Sequence, residues 1–156
     1  MTMNPRKAEL LGLKLMKTSG LMQDAAHDLF KSHGLSAPQY NVLRILRGAG
    51  TVGLNCREIA DRMITRVPDI TRLLDRLAEK DLVTRLRSEE DRRVVTSTLT
   101  EAGTALLSRI DRPLNLQVTA NFRNLSGDDM KRLDGILDRL LAGLENRENA
   151  APPGAA

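Results

Sequence analysis

The apolar period of this chain changes from helical to extended within one short stretch, and few folds accommodate that order. Ile70, Leu73, Leu74 and Leu77 recur at i, i+3, i+4 and i+7, with Asp69, Thr71, Arg72, Asp75 and Arg76 largely on the opposite side. From Leu82 to Arg87 the side chains alternate instead, with Leu82, Thr84 and Leu86 on one side and Val83, Arg85 and Arg87 on the other. Val94 to Leu99 is rich in β-branched residues. The charged run Ser88-Glu89-Glu90-Asp91-Arg92-Arg93 joins the two segments, which predicts a β-hairpin with a charged tip directly after a helix. A lone hairpin is marginal in water, so Leu82, Leu86 and some of the valines are expected to pack on helices.

Upstream, Asn55 and Glu58 form a cap pair opening a short helix whose Ile59, Ala60 and Met63 share a face. Thr65 is read as the start of the next helix. Two short helices joined by about three or four residues predict a helix-turn-helix, and the hairpin behind it completes the order of a winged helix. Further out, Leu11, Leu15, Met22, Ala26 and Leu29 mark a long amphipathic helix over Leu10 to Phe30 that ends at His33-Gly34. Ser36-Ala37-Pro38-Gln39 reads as a capping box with Pro in the first turn, continued by Val42, Leu43 and Leu46 up to Gly48 and Gly50.

Thr100 is placed to cap a helix along which Leu106, Ile110, Leu114, Val118 and Phe122 recur every four residues. Pro113 predicts a kink or break near Arg109 to Pro113, because it removes a backbone bond and crowds the preceding turn. Ser126 opens the last helix, with Met130, Leu133, Leu137, Leu140, Leu141 and Leu144 apolar, and the Ala, Pro and Gly tail from Ala150 is expected to fray. The fold class is therefore mainly α with a small β-hairpin wing. Residues 36–99 form the winged helix-turn-helix domain, 8–33 and 100–146 a helical region, and 147–156 a tail. The apolar faces of the terminal helices exceed what a small winged core covers, which predicts a homodimer over packing of those helices on their own domain.

Charge distribution sharpens the picture. Residues 1–50 carry 7 basic and 3 acidic side chains, 51–100 carry 10 and 9, and 101–156 carry 7 and 8. Nine of the ten central cations are Arg, whose planar fork suits phosphate oxygens and guanine edges. One Cys and 2 His leave too few soft ligands for a disulfide framework or a Cys/His zinc module. A single thiol fits a reducing compartment, no apolar run reaches the roughly 18 to 20 residues of a membrane span, and the start Met1-Thr2-Met3-Asn4-Pro5-Arg6 lacks a signal-peptide core, so a cytoplasmic protein is expected. No phosphate-binding glycine loop, dinucleotide fingerprint, metalloprotease His pair or nucleophile elbow is present, which argues against an enzyme and gives no reason to expect a cofactor.

Over about residues 10 to 145 the order of elements resembles the MarR family of bacterial transcription regulators. The resemblance rests on Asp91-Arg92-Arg93 followed by Leu99-Thr100 and Gly103, similar to the family's Asp-x-Arg wing motif and its trailing Leu-Thr-x-x-Gly. It rests also on Ile70 to Leu77, similar to a recognition helix running into a Leu-Val strand, here Leu82-Val83. The chain departs in having Asp81 where the family usually has Gly, and Ser88-Glu89 where the wing often begins with Asp-Pro. The resemblance implies a ligand-responsive regulator, more readily a repressor than an activator, that binds a pseudo-palindromic double-stranded DNA operator as a homodimer.

In a winged helix-turn-helix the second helix enters the major groove and the wing reaches toward the minor groove. The groove-facing candidates are Arg66, Pro68, Asp69, Thr71, Arg72 and Arg76. Arg72 and Arg76, one turn apart, reach phosphate or guanine, Thr71 a thymine methyl, and Asp69 a cytosine amine. By resemblance Asp91 orients Arg93, while Arg92 and Arg93 touch DNA and Arg85 and Arg87 contact phosphate. The competing account of these charges is a solvated helix face with ion pairs such as Arg72 with Asp75, and a wing merely stapled by Asp91 and Arg93. The competing function is a non-enzymatic dimeric protein-interaction module with weak, sequence-blind DNA association.

An aromatic or phenolic effector is implied by the same resemblance, with Met16, His27, Phe30 and Tyr40 as candidate lining residues, although such residues more often form ordinary core. Cys56, in a first turn beside Arg57, invites a redox role, against the commoner one of a small packing residue. Oxidant-sensing relatives carry their Cys near the start of the first helix, where this chain has none. Asp24, His27 and Asp28 share a helical face, but the expected reading is a solvated surface with no metal.

Overall fold

Each helix begins where a side chain supplies an acceptor for its first free N–H groups. The computed structural model describes residues 4–87 and 95–150, with side chains to Arg147. In α1, Pro5–Ser32, the Asn4 side chain accepts from the Arg6 and Lys7 amides, five residues before the apolar pattern begins at Leu10. In α2, Ala37–Ala49, Ser36 and Gln39 form the anticipated reciprocal box, and Asn55 and Glu58 do the same for α3, Cys56–Arg62. Each such box satisfies donors that no carbonyl within the helix can reach.

The recognition-helix candidate starts later than Thr65. It is α4, Ile70–Glu79, capped by Asp69, whose carboxylate accepts from the Arg72 amide at 2.8 Å. Pro68 accounts for the delay, because its ring disfavours the α region at Val67 and so opposes an earlier helix start. Arg66 and Pro68 therefore lie in the connection between α3 and α4, and not on the helix.

The hairpin consists of β2, Val83–Arg87, and β3, Val95–Leu99, paired antiparallel from Val83 opposite Leu99 to Arg87 opposite Val95. A third strand that periodicity could not reveal, β1 at Leu54–Asn55, joins the other edge of β3, giving the order β1-β3-β2. Gly53 leads into it with φ +69°, and a Cβ there would lie 2.6 Å from the Ser97 carbonyl oxygen. The face assigned to the hairpin is corrected. Leu86 is 63% exposed, whereas Leu82 and Val83 are both buried. Leu82 precedes the strand and belongs to the end of α4, so the strand alternation starts at Val83.

The core gathers Phe30 and Leu35, Val42, Leu43 and Leu46 of α2, Ile59 of α3, Ile70, Leu74 and Leu77 of α4, Leu82 and Val83. It also takes in Leu106, Leu107 and Ile110 of α5, Glu101–Asn121. Chain contacts divide the molecule into Met1–Gln117 and Val118–Ala156, so the first half of α5 is built into the winged core and not only into a separate helical region. Of the kink or break expected near Arg109 to Pro113, the break does not occur, and α5 continues through Pro113. The second unit holds the end of α5 and α6, Gly127–Ala150, which Ser126 and Asp129 cap reciprocally. Thus α6 runs past the expected boundary at 146, and residues 151–156 of the tail lie outside the described residues.

Candidate nucleic-acid interface

Two junctions position α4. At its amino end one oxygen of the Asp69 carboxylate, the group read as a cytosine acceptor, accepts from the Arg72 amide and holds the helix start. At its carboxyl end the Asp81 amide donates to the Ala78 oxygen and the Leu82 amide to the Leu77 oxygen, the paired bonds of a Schellman ending. Asp81 has φ +57°, the left-handed conformation that explains why glycine suits this place and why Asp, with a short polar side chain, tolerates it.

The Leu-Thr-x-x-Gly string now has a physical reading. Thr100 caps α5 by accepting from the Gly103 amide at 3.0 Å, and its hydroxyl donates to the Asp81 carbonyl at 2.7 Å. The Thr100 amide also donates to the Leu82 oxygen at 3.2 Å. Gly103 is where α5 passes that turn, since a Cβ there would stand 2.3 Å from the Leu82 oxygen. The start of α5 is thereby locked to the end of α4.

Between these junctions Thr71, Arg72, Asp75 and Arg76 are all exposed on α4. Among the described residues neither Arg72 nor Arg76 has an ion-pair partner, and the pairing of Arg72 with Asp75 that the competing account supposes is not formed. Asp75 instead pairs with Arg85 of β2, a contact that their separation of ten positions hid from sequence reading. The Thr71 hydroxyl lies 3.8 Å from Cys56 Sγ, so the thiol packs where α3 meets α4. Arg66 and Pro68 are exposed in the connection before α4, and Arg87 is exposed at the far end of β2. Asp91, Arg92 and Arg93 lie outside the described residues.

The four candidate effector contacts divide into pairs. Phe30 and Tyr40 are 6% and 9% exposed and stack on each other with centroids 4.2 Å apart, so each fills the space the other would offer a ligand. Burial, then the nearby Asp111 carboxylate, raises the Tyr40 pKa. Met16 and His27 are exposed on α1. A bidentate pair of Arg47 with Asp111, at 2.7 and 3.2 Å, ties α2 to α5.

The model of the MarR family matches residues 35–95. An uncharacterised HTH-type transcriptional regulator of Bacillus subtilis (strain 168), YfiV, is 31% identical over 141 residues, spanning 90% of this chain and 85% of that protein. A MarR transcription factor from Planctomyces limnophilus has a crystal structure similar to this one, with a TM-score of 0.66 and 35% identity over 88% of this chain and 98% of its own. The crystal structure of Staphylococcus aureus MepR in complex with DNA has a TM-score of 0.77 at 21% identity, covering 85% of this chain and 96% of its own, a likeness of fold.

Proposed function

Because the chain belongs to the MarR family of transcription regulators, we propose that it is a ligand-responsive repressor that reads a pseudo-palindromic DNA operator as a homodimer. The observation that carries this reading is the exposed face of α4, where Arg72 and Arg76 stand one turn apart without ion-pair partners among the described residues. A groove supplies what that face lacks, namely phosphate oxygens and guanine edges for two guanidinium forks. Thr71, Arg66 and Pro68 flank this face, Arg87 reaches backbone phosphate from β2, and Arg92 and Arg93, oriented by Asp91, extend the contact from the wing. Asp69 acts through the helix start it caps.

Exposed apolar side chains support dimerisation. Along α1, Leu10, Leu11, Leu13, Met16 and Leu21 are each more than half exposed, and α6 has no buried residue among those described while carrying Ile136, Leu141 and Leu144 each above 50%. A second copy removes these faces from water at about 25 cal/mol per Å2 of apolar surface. Two-fold symmetry then sets the half-sites about one turn of B-DNA apart, near 34 Å. A small aromatic or phenolic effector acts by favouring a form whose recognition helices no longer match that spacing, with the exposed Met16 and His27 as its candidate contacts. The regulator meets its DNA in the cytoplasm.

Selection from a random duplex pool, repeated at several salt concentrations beside a scrambled duplex, tests the reading. The expected result is enrichment of an inverted repeat, preferred over the scrambled duplex by roughly a thousandfold or more, with a negative log-log salt slope. Weak binding that ignores sequence favours the protein-interaction module instead.

A further inference from the structure

Arg85 differs from Arg72 and Arg76 of this surface, because among the described residues its charge is already engaged. Its Nη1 donates to the Asp75 carboxylate, and its side chain is 20% exposed against 52% for Asp75. Its Nε is buried without a hydrogen-bond partner, so one edge of the guanidinium lies against protein while another meets the carboxylate. Arg85 stands opposite Ser97, at the middle of the five-residue pairing of β2 with β3. Asp75 lies on the same helix as Arg72 and Arg76, three residues from one and next to the other. An unpaired carboxylate there would repel phosphates lying within a screening length of about 8 Å at physiological salt.

Resting on the DNA-binding reading above, we infer that Arg85 is a positioning residue and not a phosphate contact: it neutralises Asp75 on the recognition face and pins the first wing strand to α4. The pair is electrically neutral as a unit, so it contributes orientation without adding to counterion release. Arg72, Arg76 and Arg87 carry the phosphate-facing charge, and the Asp75–Arg85 pair sets how the wing is presented beside the helix.

The test compares wild type, Asp75→Asn and the double variant Asp75→Asn/Arg85→Gln, each shown to be folded by circular dichroism. The probes are a mixed-sequence duplex and a duplex enriched from a random pool by the wild-type protein. Losing a phosphate contact lowers the slope of log K against log salt by about 0.9. The double variant is expected to keep the wild-type slope on the mixed-sequence duplex while its preference for the enriched duplex falls about tenfold, the size of a mismatched base pair. A slope lowered by about 0.9 overturns the inference and makes Arg85 a phosphate contact. An unchanged slope with unchanged preference overturns it too, leaving an inert surface pair. Should the double variant not fold, Asp75→Asn decides: preference lost with no fall in slope supports positioning, and preference retained refutes it. If the wild-type protein enriches no sequence, the operator-binding reading fails by itself. The slope on the mixed-sequence duplex then still decides whether Arg85 is a phosphate contact, a lowered slope refuting the inference and an unchanged slope supporting that half of it.

Discussion

Replacing Gly103 by Ala sets two effects of opposite sign against each other. Helix propensity favours Ala over Gly by roughly 0.8 to 1.0 kcal/mol in a helix interior, so α5 considered alone gains stability. The packing opposes this. The new Cβ would meet the Leu82 carbonyl oxygen at 2.3 Å and Leu99 Cδ1 at 2.8 Å, and ordinary contact begins at 3.4 Å, so the helix start must retreat by 3.4 − 2.3 = 1.1 Å. That movement stretches the 2.7 Å bond from Thr100 to the Asp81 carbonyl and the 3.2 Å bond from the Thr100 amide to the Leu82 oxygen beyond hydrogen-bonding reach. Two lost bonds cost about 2 kcal/mol, and forced repacking around Leu82 and Leu99 adds about 1 to 3. Net of the propensity gain, Gly103→Ala is expected to destabilise by about 2 to 4 kcal/mol, which lowers Tm by roughly 4 to 16 °C for a chain of this size. Thermal unfolding by circular dichroism at one fixed protein concentration reads this directly. The matched control is Gly48→Ala, where no atom lies within 4 Å of the added Cβ, and there Tm should hold or rise. If Gly103→Ala rises with Gly48→Ala, the close approach of α5 to the α4–β2 turn is refuted.

Four further outcomes are expected. Asp81→Gly relieves the left-handed strain at φ +57° while leaving the Thr100 bond to the backbone carbonyl, so stability rises by about 0.5 to 1 kcal/mol in chemical denaturation; a loss would show that the Asp side chain contributes there. Gly53→Ala, at φ +69° with its Cβ 2.6 Å from the Ser97 oxygen, should cost about 3 kcal/mol or more, and a wild-type denaturation midpoint would count against the described β1 connection. Arg72→Ala should weaken operator binding by about 1 to 3 kcal/mol and relax preference at one position if it reads guanine, or weaken all sequences alike and flatten the salt slope if it holds phosphate; no change in either removes it from the interface. Tyr40 is the single Tyr in a chain without Trp, so absorbance isolates its phenol, which should ionise above the ordinary range because burial raises its pKa. The sign follows: its stabilising contribution is present below the unfolded pKa and is lost as pH rises through the folded one. A phenol titrating at the free value would place Tyr40 in solvent.

What could be read from the chain was local. The boxes Ser36–Gln39 and Asn55–Glu58, the Ser126 cap and the stop at His33-Gly34 each depend on residues within one turn, and each is found as expected. Errors arose where a neighbour in sequence or a partner in space overrides the local signal. Thr65 looks like a cap until the constraint of Pro68 on Val67 is taken into account. Leu86 looks inward until the Schellman ending claims Leu82 and shifts where the strand begins. Two residues are too few to show a period, which hid β1. Of the interface, the exposed cations of α4 were visible as a polar stripe. The engagement of Arg85 by Asp75 needs the fold, because charge composition does not distinguish an occupied ion from an available one, whereas the Asp69 cap is local and was hidden by starting the helix at Thr65.

Among the described residues the hairpin is anchored from its base to its middle. Leu82 closes α4, Val83 and Ser97 are buried, Arg85 is tied to Asp75, and Thr100 fastens the return strand. Its register is therefore held by residues on both sides of the seven between Arg87 and Val95, and none of those anchors belongs to that stretch. Substitutions there remove none of the described contacts that hold the strand pairing and the recognition helix. Descendants of one scaffold can then acquire new operators by exchanging a short peptide, and an engineer can transplant such a peptide between relatives while leaving those described contacts untouched.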